Sequence, residues 1–163
     1  MLSALKIFNR VDNTSEVTFM ASNGSTVSEG KMSGKNFIGK WVFYHKNSSS
    51  VMIEEYYNND GLLDGVRKVF FVNGKNAEEV AYKDGKQNGF SKIYSESGQL
   101  LQNSSYTNDK LNGSTIYYDA NGFVKAKGKF KDNVKIGIWE YYKDAELVRK
   151  VDHDTNKVLF RKQ

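Results

Sequence analysis

The residues of this chain whose types could support acid–base chemistry or metal binding are few. They are two histidines, His45 and His153, and two adjacent glutamate pairs, Glu54-Glu55 and Glu78-Glu79. Their spacing argues against both uses. Neighbouring residues on a strand face opposite ways, so neither pair converges on one substrate atom as a glycosidase dyad must. The histidines stand far apart, and neither has a second histidine or an acidic cluster at metal-ligand spacing. No serine has the setting of a nucleophile elbow, and the glycines do not form a phosphate loop. There are no cysteines, which excludes disulfides, thiolate metal sites and cysteine nucleophiles together. The expectation is a protein that is not an enzyme and has no catalytic residue, no cofactor and no metal.

Two other patterns can do binding chemistry. The first is a column of aromatics, Tyr44, Phe70, Tyr94, Tyr118 and Tyr142, accompanied by Trp41 and Trp139. Tyrosine and tryptophan often anchor protein interfaces, so these seven are the candidate partner-binding residues. Packing within the fold is the alternative use of the same rings. The second is a run of lysines at period two: Lys125, Lys127, Lys129 and Lys131. Alternation puts them on one strand face, with Val124, Ala126, Gly128 and Phe130 on the other. Such a face can discourage edge pairing. It can also bind an acidic protein or an anionic lipid surface. No motif for specific nucleic-acid binding accompanies it.

The elements that position these residues are set by a tandem repeat. Gly65, Gly89, Gly113 and Gly137 stand at steps of 24. Phe70, Tyr94, Tyr118 and Tyr142 each follow five positions later, and Gly74, Gly98 and Gly122 follow the first three by nine. A period of this length signals a repeat architecture in which each unit is one supersecondary element. Asn-Gly at Asn73-Gly74 and Asn121-Gly122 is a hairpin signal and predicts a type I′ turn at the tip of the unit. No segment sustains a 3.6-residue period, and proline, which removes a ladder donor, is absent. The predicted fold is all-β, an elongated antiparallel β-meander of about six tandem β-hairpin repeats. Residues 1–14 form a lead-in segment, and residues 15–163 form a single array. Its units are 15–38, 39–64, 65–88, 89–112, 113–136 and 137–163.

Within each unit, alternation places the plus-five aromatic on one face. The plus-two and plus-four residues, such as Trp41 with Phe43 and Trp139 with Tyr141, lie on the other. The net charge of +5 is concentrated late in the chain. Residues 123–163 carry 11 Lys/Arg against 6 Asp/Glu, whereas residues 1–64 carry 6 against 7.

In these features the chain resembles the MORN-repeat variant family of bacterial antitoxin and immunity-type proteins. The resemblance is carried by Gly89-Phe90-Ser91-Lys92-Ile93-Tyr94, Ser97-Gly98-Gln99-Leu100, Tyr106, Lys110-Leu111-Asn112-Gly113 and Gly137-Ile138-Trp139-Glu140-Tyr141-Tyr142. It covers about residues 15–150 and departs from the pattern at Asp109 and Asn133, where the second-turn glycine is missing. What it implies is a curved meander that binds another protein, a toxin or a complex subunit. A scaffold subunit of a larger, envelope-associated complex is the alternative. Peripheral binding to anionic membrane through the lysine face is the second. The start of the chain has no basic leader before an apolar run, which points to the cytoplasm, or to the periplasm or envelope if a leader was removed. The apolar run Val158-Leu159-Phe160 is an expected site of edge-strand association.

Overall fold

A computed structural model describes residues 3–9, as a backbone strand, and residues 13–162. Every regular element among them is a strand. The chain groups into two compact units, Met1–Lys86 and Gln87–Gln163.

The first unit holds β1 (Ser3–Asn9), β2 (Thr14–Met20), β3 (Thr26–Ser33), β4 (Asn36–Tyr44), β5 (Val51–Tyr57), β6 (Gly65–Phe70) and β7 (Asn76–Lys83). Consecutive strands of this unit pair antiparallel. The second unit repeats this order with β8 (Lys86–Tyr94), β9 (Leu100–Thr107), β10 (Lys110–Tyr118), β11 (Val124–Lys131), β12 (Val134–Lys143), β13 (Glu146–Asp152) and β14 (Lys157–Arg161). The all-β antiparallel meander of hairpin repeats is therefore the observed architecture.

The turns differ from expectation in kind. At the tips, Gly24, Gly74, Gly98 and Gly122 each donate to a carbonyl three residues back, as in Gly74 N to Phe71 O at 2.9 Å. The hairpin closes one residue later, as in Phe71 N to Lys75 O at 2.8 Å. Only the glycine is left-handed, with φ between +80° and +92° at these four positions. This is a three-residue loop, a type I turn followed by a glycine bulge, and not the type I′ turn that Asn-Gly predicts. Asn23 and Asn73 instead turn their side-chain oxygens onto the backbone N–H groups of Ser25 and Lys75. The two consecutive positive φ angles of a type I′ turn occur between units, at Asp84-Gly85, Asn108-Asp109 and Asp132-Asn133.

The departures at Asp109 and Asn133 gain a hydrogen bond that glycine could not make. Asp109 accepts from the N–H of Gln87 at 2.8 Å, and Asn133 accepts from the N–H of Leu111 at 2.8 Å. Both residues also donate their own N–H back, to Gln87 O and Leu111 O.

Packing is set by an interlock between neighbouring strands on one face. Trp41 on β4 pairs with Gly30 on β3, and its ring occupies the place a side chain would need. A Cβ on Gly30 would come within 2.5 Å of the indole. Trp139 lies on Gly128 in the same way, at 2.3 Å. The two-residue register shift around Gly39 and Gly137 sets each tryptophan over its glycine. Other units fill the equivalent place differently. Arg67 reaches Glu55 at 2.9 Å, and Thr115 pairs with Ser104, both 1% exposed.

Candidate functional site

The sequence candidates separate once they are placed. Trp41 and Trp139 are both 0% exposed, so they are core residues and offer no surface to a partner. The physical reason is the glycine beneath each, which lets the indole lie flat against the neighbouring strand. Each indole N–H donates to a backbone carbonyl, Trp41 to Lys31 at 2.9 Å and Trp139 to Lys129 at 3.1 Å. The plus-five aromatics remain half-buried. Tyr44 lies at the tip of β4 and donates to the Glu29 carboxylate, which pushes the phenol up to about 12. Phe70 ends β6, and its carbonyl faces His45 Nε2 at 3.1 Å. Tyr94 ends β8.

Tyr118 and Tyr142 are brought together, and the cause is a pair of bulges. Tyr117 pairs with Ala126 while Tyr118 pairs with Val124, so Lys125 is the extra residue on β11. Tyr141 pairs with Arg149 while Tyr142 pairs with Leu147, so Val148 is extra on β13. Bulges re-aim side chains and increase local twist. An open pocket of about 410 Å³ results, bordered by Tyr117, Tyr118, Lys125, Lys135, Tyr141 and Tyr142, with Leu101 and Ala126 completing its apolar wall.

The lysine run is divided by the same bulge and does not act as one face. Lys125 borders the tyrosine pocket. Lys127 and Lys129 border a separate hollow of about 610 Å³ with Ile136, Ile138 and Glu140. Lys131 stands opposite Val134 beside the turn and borders neither. Lys127 is also neutralised, lying 3.1 Å from Glu140. The Glu140 carboxylate accepts from Lys150 at 2.6 Å and from the Tyr142 hydroxyl at 2.6 Å as well. Hydrogen bonds from Lys150, Tyr142 and Lys127 hold its carboxyl down to about 2.

Lys135 and Tyr141 also line the pocket and were not among the sequence candidates. Lys135 lies across the Trp139 ring at 4.1 Å and donates to the Tyr141 hydroxyl at 3.2 Å. Arg149 covers the Tyr141 ring at 5.8 Å. His153 Nε2 stands 3.4 Å from the same hydroxyl. A sequence signal for this cluster exists. Lys135 precedes Trp139 by four residues, where Phe37 precedes Trp41, and Tyr117-Tyr118 repeats as Tyr141-Tyr142.

The residues first weighed for catalysis are dispersed among structural partners. Glu54 pairs with Lys40 at 2.7 Å, while Glu55 binds Arg67 and Tyr57. Glu78 also binds Arg67, at 2.8 Å, and Glu79 faces Lys68 at 3.9 Å. Among the described residues, no group of three His, Asp or Glu side chains could hold a metal ion.

No family model matches the sequence, and no curated protein matches it either. Among solved structures, the chain is similar to a Staphylococcus aureus TarM mutant crystallised with fondaparinux, alpha-GlcNAc-glycerol and UDP. The identity is 9% and the TM-score 0.23, a likeness that carries no argument about fold or activity. The match covers 97% of this chain and 21% of that protein.

Proposed function

We propose that this chain is a non-enzymatic protein-binding module of MORN-like repeats, of the antitoxin or immunity type, that covers a toxin or another protein partner. The observation that supports it is the pocket where Tyr118, Tyr142 and Lys125 converge beside Tyr117, Tyr141 and Lys135. Half-buried tyrosines with cationic neighbours suit an interface anchor, because the ring bodies are already ordered and lose little entropy on binding. The test is site-specific photo-crosslinking with a benzophenone side chain at Tyr118, with the same probe at Phe70 as the comparison. The reading expects a discrete crosslinked partner from Tyr118 and protection of cells against that partner when it is toxic. Absence of a partner at both positions sinks it.

A scaffold role is the second reading, favoured by the edge of β14. Among the described residues this strand pairs only with β13, and Val158, Leu159 and Phe160 are 50%, 51% and 41% exposed. Exposed apolar edges are templates for added strands. Replacing Leu159 by Lys would dissolve an assembly built there while leaving the Tyr118 crosslink unchanged. Anionic-membrane binding would need the lysines to act together, and Lys127 is already committed to Glu140. Among the described residues no helix is long and apolar enough to cross a membrane.

A further inference from the structure

Resting on the protein-binding reading, we infer that the pocket between Tyr118 and Lys135 anchors an acidic side chain of the partner, carried beside an apolar residue in an exposed loop. Two cations line the pocket without an ion pair among the described residues, Lys125 and Lys135, and Arg149 lies over the Tyr141 ring at 5.8 Å. The nearby Glu140 is already saturated by Lys127, Lys150 and Tyr142. The site is therefore a concentration of donors with positive charge that its own strands leave uncompensated. Charge-assisted hydrogen bonds from ammonium groups to a carboxylate are short and roughly twice as strong as neutral ones.

The lining decides between kinds of anion. None of the bordering side chains is a carboxylate or a carboxamide. A neutral carbohydrate would leave the ammonium charges of Lys125 and Lys135 uncompensated. A nucleobase needs a free ring face on which to stack. Two of the four tyrosine rings are covered, Tyr141 by Lys135 at 5.4 Å and Arg149 at 5.8 Å, and Tyr142 by Lys127 at 5.5 Å, which leaves Tyr118 as the face a base would use and makes oligo-dT the competing probe. Trp139 is fully buried. A small inorganic anion would meet the charge but leave the wall of Leu101 and Ala126 wet. A carboxylate with an apolar neighbour satisfies both, and a protein loop supplies that pair within two residues. Tyr118 makes no hydrogen bond among the described residues and is a ready donor.

The test titrates the full chain, 15N-labelled, with a capped pentapeptide Gly-Asp-Phe-Asp-Gly. Amide shifts are expected at Tyr118, Lys125 and Tyr142, with Tyr44 unmoved. The Asn counterpart, Gly-Asn-Phe-Asn-Gly, is expected to bind about tenfold more weakly, since it loses the charge-assisted bonds. The Gly counterpart, Gly-Asp-Gly-Asp-Gly, should weaken through loss of the apolar contact. Lys125→Met alone, on an exposed side chain, should weaken the Asp peptide several-fold. Adding Lys135→Met, which keeps the stem over Trp139, should weaken it further. Equal binding by the Asn peptide, unchanged binding to the double variant, or tighter binding of oligo-dT at the same amides overturns the inference. If the peptide fails while the double variant still crosslinks the partner, only this anchor is lost. If the wild-type chain crosslinks no protein, the broader reading falls.

Discussion

Two tryptophans occupy equivalent places in the two units and are packed by the same device, yet their surroundings differ in one layer. Trp41 and Trp139 each lie on a glycine, and each donates to the carbonyl ten residues back. Each is flanked by two aromatics spaced by 24, Phe19 and Phe43 in one unit, Tyr117 and Tyr141 in the other. The outer face of Trp41 is closed by Phe37, stacked at 3.7 Å. The outer face of Trp139 is covered by the ammonium of Lys135 at 4.1 Å. The first arrangement is a hydrophobic cluster with Val17 and Met32. The second exchanges phenylalanines for tyrosines and a stacked ring for a cation, and a pocket opens beside it. The difference teaches that these two places keep the tryptophan-on-glycine pair while the residues covering it vary, and function can be placed in that covering layer at small cost to the fold.

The largest effects should be the same on both sides of this comparison. Trp41→Ala and Trp139→Ala are each expected to cost about 3–5 kcal/mol, read from urea denaturation with a fluorescence probe for each unit. Trp41→Ala should sit at the upper end, because Phe37 loses its stacking partner too. A Trp139 loss near zero would break the equivalence. Gly30→Ala and Gly128→Ala come next, at about 1–3 kcal/mol from overpacking, since the new methyl meets indole carbon within 2.5 Å and 2.3 Å. A stabilising result at either position would show that the indole can lift away.

The covering layer gives smaller and opposite effects. Lys135→Phe should convert the second cluster into the first. It is expected to add about 1 kcal/mol through ring stacking while abolishing acidic-peptide binding. Phe37→Lys should lose more than Lys135→Phe gains. It exposes the Phe19 and Tyr57 edges packed around Trp41 and replaces a stacked ring by a partly hydrated ammonium. Equal and opposite changes would mean that the two layers are interchangeable, and that the pocket has no cost in stability.

Much of the architecture was legible because the 24-residue comb records turns, and turns fix strand ends. The faces followed from alternation, as the separate partners of Glu54 and Glu55 show. Two things were not legible from the comb. Burial of Trp41 and Trp139 depends on Gly30 and Gly128, which lie outside the comb and precede each tryptophan by eleven residues. That pairing across strands is visible only when the register is known. The turn types were inverted because Asn-Gly specifies a short turn without specifying where the strand bulges. A side-chain cap from Asn73 onto Lys75 favours the three-residue loop. The pocket itself was half legible: Tyr118, Tyr142 and Lys125 were found by phase. Lys135 was missed because the register shift beside it moves side chains that strict alternation would send elsewhere.

Glu140 supplies the smallest effect and the one most specific to the second unit. Three donors, Lys150 first, then Tyr142 and Lys127, hold its folded carboxyl at about 2, below the ordinary value of 4.5. A depressed carboxyl favours the folded state when ionised. Its contribution is therefore fully present above pH 4.5 and is lost as the pH falls toward 2. Because the three donors are shared with solvent, the gain is modest, as for other partly exposed ion pairs. Glu140→Gln should leave stability near neutral pH slightly lower and flatten its acid dependence between those limits. The Glu140 carboxyl carbon, followed by NMR, should titrate near 2 in the native chain. Removing Lys150 by Lys150→Met should move that midpoint up more than Lys127→Met does, because Lys150 is the nearer and larger contributor. A midpoint at the ordinary value would show that Lys127 is not held by Glu140. Lys127 would then rejoin Lys125 as an uncompensated cation, and the separation between the tyrosine pocket and the lysine-rimmed hollow would no longer stand.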